Sequence, residues 1–554
     1  MSKTRIPSWR HTLAATAIVA LAATAVACAP ASDNADKEHI LSVGQIGNAS
    51  FVQNFNPFSP NSLAMTNRAI YESLLVTNLA KGEILPWLAK EYTWSADGRE
   101  LTMNLNDGVQ WSDGEDFSSA DVVFTFDLVR EVRGESAFDY LEGWAAPDPT
   151  TVVFTFNRTY TPALAEIGTQ TIVPEHVWAE VDDPTTFLNE EPVGTGPFTE
   201  VDKFTAQSYD LRKNPNYWQE GKPQFDAMRM IAYGSNDTAN LAGINGELDW
   251  GLGYMQNVQE VYVDEDPEHR GFWFPTVGGM VSLAVNTTKA PFDDVNLRKA
   301  MSMAIDREEV AEIGMTGYTH PADCTGLSDA YDSWKDPAIV DSCEWTEYDP
   351  EAAARLLDES GYVVGSDGIR VTPDGQPLSF GLSVGAASTD WVSVMKVVSE
   401  GLQAVGIDAT LDVADWSQID QKVFLGEFDA AIRGGVTGLT PYEYYRSVMS
   451  CDTVLPVGEQ AVQNSHRFCS EAADEQLAIL AAATTEEEQM AAGDQLQSIF
   501  DENAPLIPLF PGPVWGIYND IRFTGFPTEN NPYATLSTGE SSTVIILNTL
   551  KPRQ

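Results

Sequence analysis

Basic side chains are scarce in this sequence. Its 554 residues include 32 Lys and Arg against 81 Asp and Glu, which gives a net charge of −49 at pH 7. A protein that binds the phosphates of nucleic acid needs the opposite sign, so the composition excludes that class of partner. The acidic excess indicates a solvated surface that keeps the chain soluble, and it does not identify a ligand.

A membrane-spanning run is also lacking. Residues 13–26 are apolar apart from two threonines, and three basic residues precede them. This run falls short of the roughly 20 apolar residues that a bilayer requires, and it is typical of a secretory signal covering residues 1–27. We therefore expect an exported protein.

The signal ends in the tetrapeptide AVAC, whose last residue is Cys28. This tetrapeptide resembles the bacterial lipobox, although leucine is usual at the position of Ala25. The resemblance implies cleavage before Cys28 and a diacylglyceryl group on its sulfur. The chain would then be anchored to the outer face of the cytoplasmic membrane, with the polar residues 28–37 as a flexible tether.

Cysteine and histidine are rare, with five and six residues. Apart from the lipobox cysteine, the cysteines are Cys324, Cys343, Cys451 and Cys469. Neither neighbouring pair has C-x-x-C spacing and the histidines are scattered, which argues against zinc. An even number in an exported chain predicts disulfides, and of the three possible pairings the local one closes two short loops. We expect no metal and no cofactor.

Helix and strand signals alternate along the chain. Ser118 with Asp121 forms a capping-box pattern, and Asp349 followed by Pro350 is typical of a helix start, with Gly361 as the stop. The segments PLSFGLSVG, DWVSVMKVVSEGLQAVG and IDATLDV read as strand, helix and strand, which predicts a βαβ unit in a largely parallel sheet. The fold class is therefore α/β with antiparallel additions, and the length predicts more than one domain.

Several segments, in order, resemble those of one family, the extracellular solute-binding proteins (family 5) of bacterial ABC importers of the peptide, oligopeptide and oligosaccharide type. They are LNDGVQWSDGEDFSSADVVFTFD, PVGTGPF, LRKNPNYWQEGKPQFD, VNTTKAPFDDVNLRKAMSMAIDREEV and YDPEAAARLLDESGY. The resemblance implies a two-lobed, periplasmic-binding-protein-like clamp of the class II, cluster C type with an extra subdomain in its first lobe. Such a clamp closes on a solute and presents it to membrane permease subunits, without catalysis. We expect a monomer.

The resemblance also implies how the chain divides. Lobe I is expected at residues 38–283 plus 505–554, with a small subdomain at about 56–190, and lobe II at 284–504. The apolar stretches MVSLAVN and LIPLF are the candidates for the two hinge strands. In PVGTGPF, the alternating glycines predict a turn with unusual backbone angles, because the spacing and the lysine of a phosphate-binding loop are missing.

One motif favours catalysis instead. GLSVG fits G-x-S-x-G, with Ser383 as the nucleophile of a secreted serine hydrolase. The next helix cap, Ser388 or Thr389, lies at least five residues further on, which places Ser383 in or just beyond a strand rather than at a sharp turn. His466 is the one histidine downstream of it. The hydrolase is therefore a distant alternative.

The loop GGVTGLTPYEYY, residues 434–445, bears on the ligand. Peptide-binding members of the family place an aspartate for the ligand's ammonium group in the corresponding loop, whereas here no acidic side chain precedes Glu443. An ammonium group buried without a partner is costly, so a neutral ligand is favoured. A helix is expected after the cap Thr440, with Tyr442 and Tyr445 on one face and Tyr444 on the other.

Aromatic platforms with neutral hydrogen-bonding groups suit the flat faces and hydroxyl rims of sugars. The candidate ligand-binding residues are Asn54, Phe55, Trp273, Trp391, Trp416, Gly435, Tyr442, Tyr445 and Trp515. The segments TDW and GFPTENNPYA resemble those of members that bind β-linked gluco-oligosaccharides. We therefore expect capture of an oligosaccharide, with an oligopeptide or dipeptide as the alternative.

Overall fold

The computed structural model describes residues 38–47, 49–134 and 137–553. From His39 onward these residues form one compact unit. The predicted signal, the lipidation site Cys28 and the tether lie outside the described residues. Within the described ranges, no helix has both the length and the apolar character needed to cross a bilayer.

A seven-stranded mixed sheet carries the first half of the fold. Its strands, in spatial order, are Arg270–Phe272, Ile517–Asn519, Trp250–Gly251, Ile40–Ile46, Ala227–Tyr233, Ser208–Lys213 and Phe198–Asp202. The strand Ile40–Ile46 is parallel to Ala227–Tyr233, and both are largely buried. The sheet therefore combines segments from both ends of the chain.

A five-stranded mixed sheet carries the second half. Its order is Asp408–Ala414, Ser379–Gly385, Ala430–Gly434, Met280–Val285 and Ile507–Pro511. The strands Ser379–Gly385 and Asp408–Ala414 are parallel over seven residue pairs, and the helix Thr389–Ala404 joins them. This confirms the predicted βαβ unit.

The other strands of the described residues form four smaller sheets. A four-stranded antiparallel sheet has the order Ala89–Trp94, Glu100–Leu105, Thr151–Phe156 and Leu141–Asp148. The two-stranded pairs are Leu75–Asn78 with Glu83–Pro86, Val363–Val364 with Arg370–Val371, and Phe523–Thr524 with Lys551–Pro552. The four-stranded sheet lies in the region expected to form the small subdomain.

Helices surround these sheets. The α-helices are Ser119–Arg133, Ala163–Gly168, Glu175–Trp178, Asn236–Ile244, Val295–Met303, Arg307–Glu309, Pro337–Val340, Pro350–Glu359, Thr389–Ala404, Trp416–Leu425, Tyr442–Met449, Glu471–Ala482, Glu486–Asn503 and Thr543–Thr549. Short π and 3-10 turns are Thr66–Ile70, Gln259–Val263, Val310–Gly314, Asp329–Trp334, Glu344–Thr346 and Cys451–Thr453.

The helix starts follow the capping chemistry of the sequence. Ser118 and Asp121 form a reciprocal capping box, as predicted. Asp349 caps the helix that begins at Pro350, and Gly361 follows its end with a φ of +88°. Local side-chain to backbone bonding therefore fixes these boundaries.

Two disulfides close short loops. Cys324 is bonded to Cys343, and Cys451 is bonded to Cys469. Of the three pairings that the sequence left open, the structure has the local one.

The chain passes between the two large sheets twice, at residues 273–279 and 512–516. These crossing segments run side by side: the N–H of Gly278 donates to the carbonyl of Gly512 at 3.0 Å, and the N–H of Val514 donates to that of Pro275 at 2.8 Å. The stretches MVSLAVN and LIPLF, expected at the hinge, are instead buried strands of the five-stranded sheet. Their apolar runs reflect burial on both faces. The crossing at residues 273–279 precedes the first stretch, and the crossing at residues 512–516 follows the second.

The turn PVGTGPF requires its glycines for a different reason from the one expected from the sequence. Gly194 and Gly196 do not have positive φ angles. A Cβ atom on Gly194 would lie 1.9 Å from the carbonyl oxygen of Ile70, and the N–H of Gly196 donates to that oxygen at 2.9 Å. Glycine is required here by the close approach of two backbones, not by backbone angles.

One apolar core is shared between the four-stranded sheet and the helices that lie, in sequence, between the strands Ala430–Gly434 and Ile507–Pro511. This shared core joins buried side chains from residues 74–172 to others from residues 280–506. The ring of Tyr160 meets that of Tyr442 edge-on at 5.8 Å, and the N–H of Thr161 donates to the carbonyl of Ala481 at 2.7 Å. Segments that are distant in sequence are thus packed against each other.

Candidate functional site

A cleft of about 450 Å³ opens beside the crossing segments. Its lining includes Gln45, Asn236, Asp390, Trp391, Trp515 and Glu540. Gln45 lies near the carboxyl end of the strand Ile40–Ile46, and Trp391 follows the carboxyl end of Ser379–Gly385. Ligands of open α/β sheets bind outside the carboxyl ends of strands, so this cleft is the candidate site.

Trp391 is held in the cleft by a second tryptophan. The rings of Trp391 and Trp416 meet edge-on at 5.6 Å, and the Nε1–H of Trp416 donates to Ser388 Oγ at 3.0 Å. Trp416 does not line the cleft itself. Of these two sequence candidates, Trp391 therefore offers a surface to a ligand and Trp416 fixes its position.

Trp515 forms the other aromatic wall. Its ring packs edge-on against Tyr254 at 5.5 Å, Phe274 at 4.9 Å and Tyr318 at 6.0 Å. Three surrounding rings leave it half-buried, with a face on the cleft. The cleft thus has two tryptophans on different segments, as a platform for flat ligands requires.

Asp390 contributes a buried carboxylate to the lining of the same cleft. It is 4% exposed, and the Nδ2–H of Asn236 donates to its Oδ1 at 3.3 Å. Burial raises the pKa of Asp390 to about 6, against the hydrogen bonds that favour its charged form. Sequence reasoning missed this residue, although it stands next to the candidate Trp391.

A second chamber of about 640 Å³ contains the neutral loop. Its lining includes Arg68, Arg133, Glu166, Val436, Thr437, Tyr442, Glu443 and Arg446. Arg68 lies between the two cavities, because its guanidinium donates to the carbonyl of Gly539, next to Glu540 of the cleft, at 3.0 and 3.2 Å. The second chamber is more polar than the cleft and has charges of both signs.

Glu443 alters the expectation drawn from the loop. Its Oε2 lies 2.6 Å from the position that a Cβ atom on Gly438 would occupy, so the carboxyl group folds back beneath the loop. Burial raises the pKa of Glu443 to about 7. No acidic side chain precedes Glu443 in the loop, as the sequence analysis states, but the carboxyl group of Glu443 itself lies beside the neutral glycine turn.

The remaining candidates fall into two groups. Phe55 and Tyr445 are fully buried, and the hydroxyl of Tyr445 donates to the carbonyl of Thr325 at 2.8 Å. They offer no surface to a ligand, because both belong to apolar cores. Tyr444, expected to face away, is also buried at 1% exposure, whereas Tyr442 lines the second chamber.

Asn54, Trp273 and Gly435 have structural partners. The amide of Asn54 bonds Ser59 Oγ at 3.0 Å and receives the N–H of Asn56, which closes a turn. Trp273 packs on the core of the seven-stranded sheet, and the N–H of Gly435 donates to the carbonyl of Met280 at 2.8 Å. These three residues shape the surroundings of the two cavities without lining them.

The serine-hydrolase arrangement is not formed. Ser383 lies in the middle of the strand Ser379–Gly385, is 5% exposed, and precedes the helix start at Thr389 by six residues. A nucleophile elbow places its serine at the turn itself. His466 is buried, and its Nε2–H donates to the carbonyl of Val448 at 2.9 Å.

Burial lowers the pKa of His466 from 6.5 to about 4. Between these two pH values the unfolded chain binds a proton that the folded chain does not, so stability is lost as the pH falls. We expect wild type to lose about 3 kcal/mol of unfolding free energy relative to His466→Gln over this interval. Urea unfolding at a series of pH values measures the difference. A parallel fall in both proteins would contradict the prediction, and His39→Gln, at an exposed histidine, is the control.

The family model of bacterial extracellular solute-binding proteins, family 5, matches residues 83–454. This chain belongs to that family. The structural neighbours are two-lobed periplasmic binding proteins, which confirms the predicted fold class.

Individual relatives are distant in sequence. Protein XP55 of Streptomyces lividans is 29% identical over 64% of this chain and 64% of its own length. The nickel-binding periplasmic protein of Escherichia coli K12 is 26% identical over 67% of this chain and 70% of its own. The match to XP55 thus spans less than two thirds of that relative.

One solved structure is similar over nearly its whole length. It is the mannohexaose-bound periplasmic oligopeptide-binding protein of an oligopeptide ABC transporter from Thermotoga maritima, with a TM-score of 0.85 and 25% identity. The alignment covers 94% of this chain and 99% of that one.

Proposed function

We propose that this protein is the solute-binding component of an ABC importer and that it captures an extracellular oligosaccharide. The observation that carries the proposal is the cleft, in which Trp391 and Trp515 provide aromatic faces beside the polar groups of Gln45, Asn236 and Asp390. Sugars present flat C–H faces and rims of hydroxyl groups, which match such a lining. The mannohexaose held by the Thermotoga relative supports this ligand class.

The same proposal includes how the protein works. The bounds expected from the sequence are residues 38–283 with 505–554 for lobe I, including a subdomain at about 56–190, and residues 284–504 for lobe II. In this proposal lobe II extends from residue 280 to residue 511, because the strands Met280–Val285 and Ile507–Pro511 belong to the five-stranded sheet. The lobes would close about the crossing segments and present the ligand to permease subunits. Cys28 would anchor the monomer to the outer face of the cytoplasmic membrane.

We infer binding without catalysis. The buried Ser383 has no turn to expose it, and the hydrogen bond of His466 to a backbone carbonyl occupies its Nε2. Turnover of p-nitrophenyl esters or oligosaccharides that Ser383→Ala abolishes would contradict this inference.

A peptide is the second candidate, and Glu443 favours it. The carboxylate of Glu443, which folds back beneath Gly438, can pair with the ammonium group of a ligand in the second chamber. A thermal-shift screen separates the two candidates, because a ligand that binds the folded state raises the midpoint of unfolding. Cello-, manno- and xylo-oligosaccharides should stabilise the protein more than di- to pentapeptides do. Stabilisation by peptides alone would overturn the oligosaccharide proposal.

Trp391→Ala should weaken the binding of the oligosaccharide that the screen identifies by at least about tenfold, since a tryptophan at the centre of a site contributes disproportionately. Calorimetric titration measures the loss. Trp94→Ala is the control, because Trp94 is also half-buried but packs on Phe156 at 5.0 Å, outside the cleft and the second chamber. Equal affinity of wild type and Trp391→Ala would remove Trp391 from the site.

A further inference from the structure

The carboxylate of Asp390 lacks a cationic partner. Its side-chain partner is the neutral amide of Asn236, and the backbone N–H groups at the start of its own helix provide the other hydrogen bonds. Among the described residues, no Lys, Arg or His forms an ion pair with it or affects its titration. A buried carboxylate normally has a paired cation or a full set of hydrogen bonds, so this charge is incompletely balanced.

The surroundings of Asp390 add negative rather than positive charge. Glu540 lines the same cleft, and the positive charge of Arg68 lowers its pKa, against the effect of burial. The guanidinium of Arg68 is engaged with the carbonyl of Gly539, as described above. The phenol of Tyr254, which the charge of Asp390 also affects, is bonded to Thr316 Oγ1. The countercharge for Asp390 must therefore come from outside the cleft lining.

A ligand that fills the cleft removes the remaining water from Asp390. Neutral hydroxyl groups return hydrogen bonds but no charge, whereas an ammonium group supplies three donors and a unit positive charge. The tryptophans on either side favour the same group, because a cation is attracted to the face of an indole ring. The hydrogen-bond donors of an ammonium group, its positive charge and its attraction to indole rings therefore all favour a cationic ligand at this position.

We propose that the cleft selects an oligosaccharide of amino-sugar units with free primary amines, and that Asp390 binds one ammonium group between Trp391 and Trp515. This inference rests on the proposed function and specifies its ligand. The burial of Asp390 supports this inference, because burial raises the pKa of its carboxyl group to about 6, whereas a neighbouring ammonium group would lower it.

Three tetrasaccharides with the same β-1,4 backbone test the inference by calorimetric titration near neutral pH. They are the tetramers of glucosamine, of N-acetylglucosamine and of glucose, of which the glucosamine tetramer alone is cationic. The glucosamine tetramer should bind at least about tenfold more tightly than either neutral tetramer. Asp390→Asn should remove this preference, because asparagine carries no charge that can pair with the ammonium group.

The net charge of −49 attracts any cation, so a control variant is needed. Glu359→Gln removes one negative charge from an exposed helix position outside the cleft, and it should keep the preference. A preference that persists in Asp390→Asn would overturn the inference, because it would arise from the general charge.

The comparison of the three tetramers on the wild-type protein does not depend on whether any variant folds. Equal or tighter binding of a neutral tetramer by wild type would overturn the amino-sugar inference and leave the oligosaccharide proposal in place. Binding of peptides with no binding of any tetramer or of any sugar in the screen would overturn both.

Discussion

Arg307→Met should lower the free energy of unfolding by about 3–5 kcal/mol, because it leaves several buried carbonyl oxygens without donors, at roughly 1–3 kcal/mol for each. Arg307 is 3% exposed. Its Nε–H donates to the carbonyl of Pro508 at 2.8 Å, and its Nη1–H groups donate to those of Ser302 at 3.0 Å and Thr346 at 2.8 Å. Methionine fills much of the space but leaves these carbonyl oxygens buried without donors.

Urea unfolding measures this loss. Arg355→Met is the matched control, because Arg355 has a 63% exposed side chain and its ion-pair distances are 3.9 and 4.0 Å. The control should change stability by less than about 0.5 kcal/mol. A loss below about 1 kcal/mol in Arg307→Met would show that water or relaxation replaces the guanidinium. The site matters to function because Pro508 belongs to the strand that leads into a crossing segment.

Gly279→Ala should lower the unfolding free energy by about 3 kcal/mol, the upper part of the range for overpacking. A Cβ atom on Gly279 would lie 1.9 Å from the carbonyl oxygen of Gly435. The carbonyl of Gly279 also accepts the N–H of Gly512 at 3.0 Å, so neither backbone can move away without breaking the contact of the crossing segments.

Thermal and urea unfolding measure the effect of Gly279→Ala. Gly381→Ala, in the strand Ser379–Gly385, is the control, because a Cβ atom there would meet Asp412 at 3.8 Å, an ordinary contact distance. An equal loss in both variants would show that the cost does not arise from the close contact of Gly279 with Gly435. Since Gly279 follows Gly278, which lines the cleft, Gly279→Ala should also weaken ligand binding more than the control does.

Local chemistry explains what the sequence predicted well. The capping box of Ser118 with Asp121 and the Asp349-Pro350 helix start depend on residues a few positions apart, and both are formed. The βαβ unit likewise follows from the hydrophobic periodicity of contiguous segments. Predictions of this kind need no knowledge of tertiary packing.

The site was harder to predict because tertiary packing decides exposure. Phe55 and Trp515 are both aromatic residues in loop-like segments, yet one is fully buried and the other lines the cleft. Asp390 was overlooked because 81 acidic residues make any one carboxylate uninformative in the sequence. The side chain of Glu443 folds back towards Gly438, and a scan along the sequence does not detect this contact.

The shared apolar core has a consequence for the heat capacity of binding. It joins residues 74–172 to residues 280–506, and the contacts of Tyr160 with Tyr442 and of Thr161 with Ala481 lie at this junction. Opening of the proposed clamp would part some of these faces and expose apolar side chains to water. Closure would then contribute its own negative heat-capacity change, beyond the one that arises from the surface buried by the sugar.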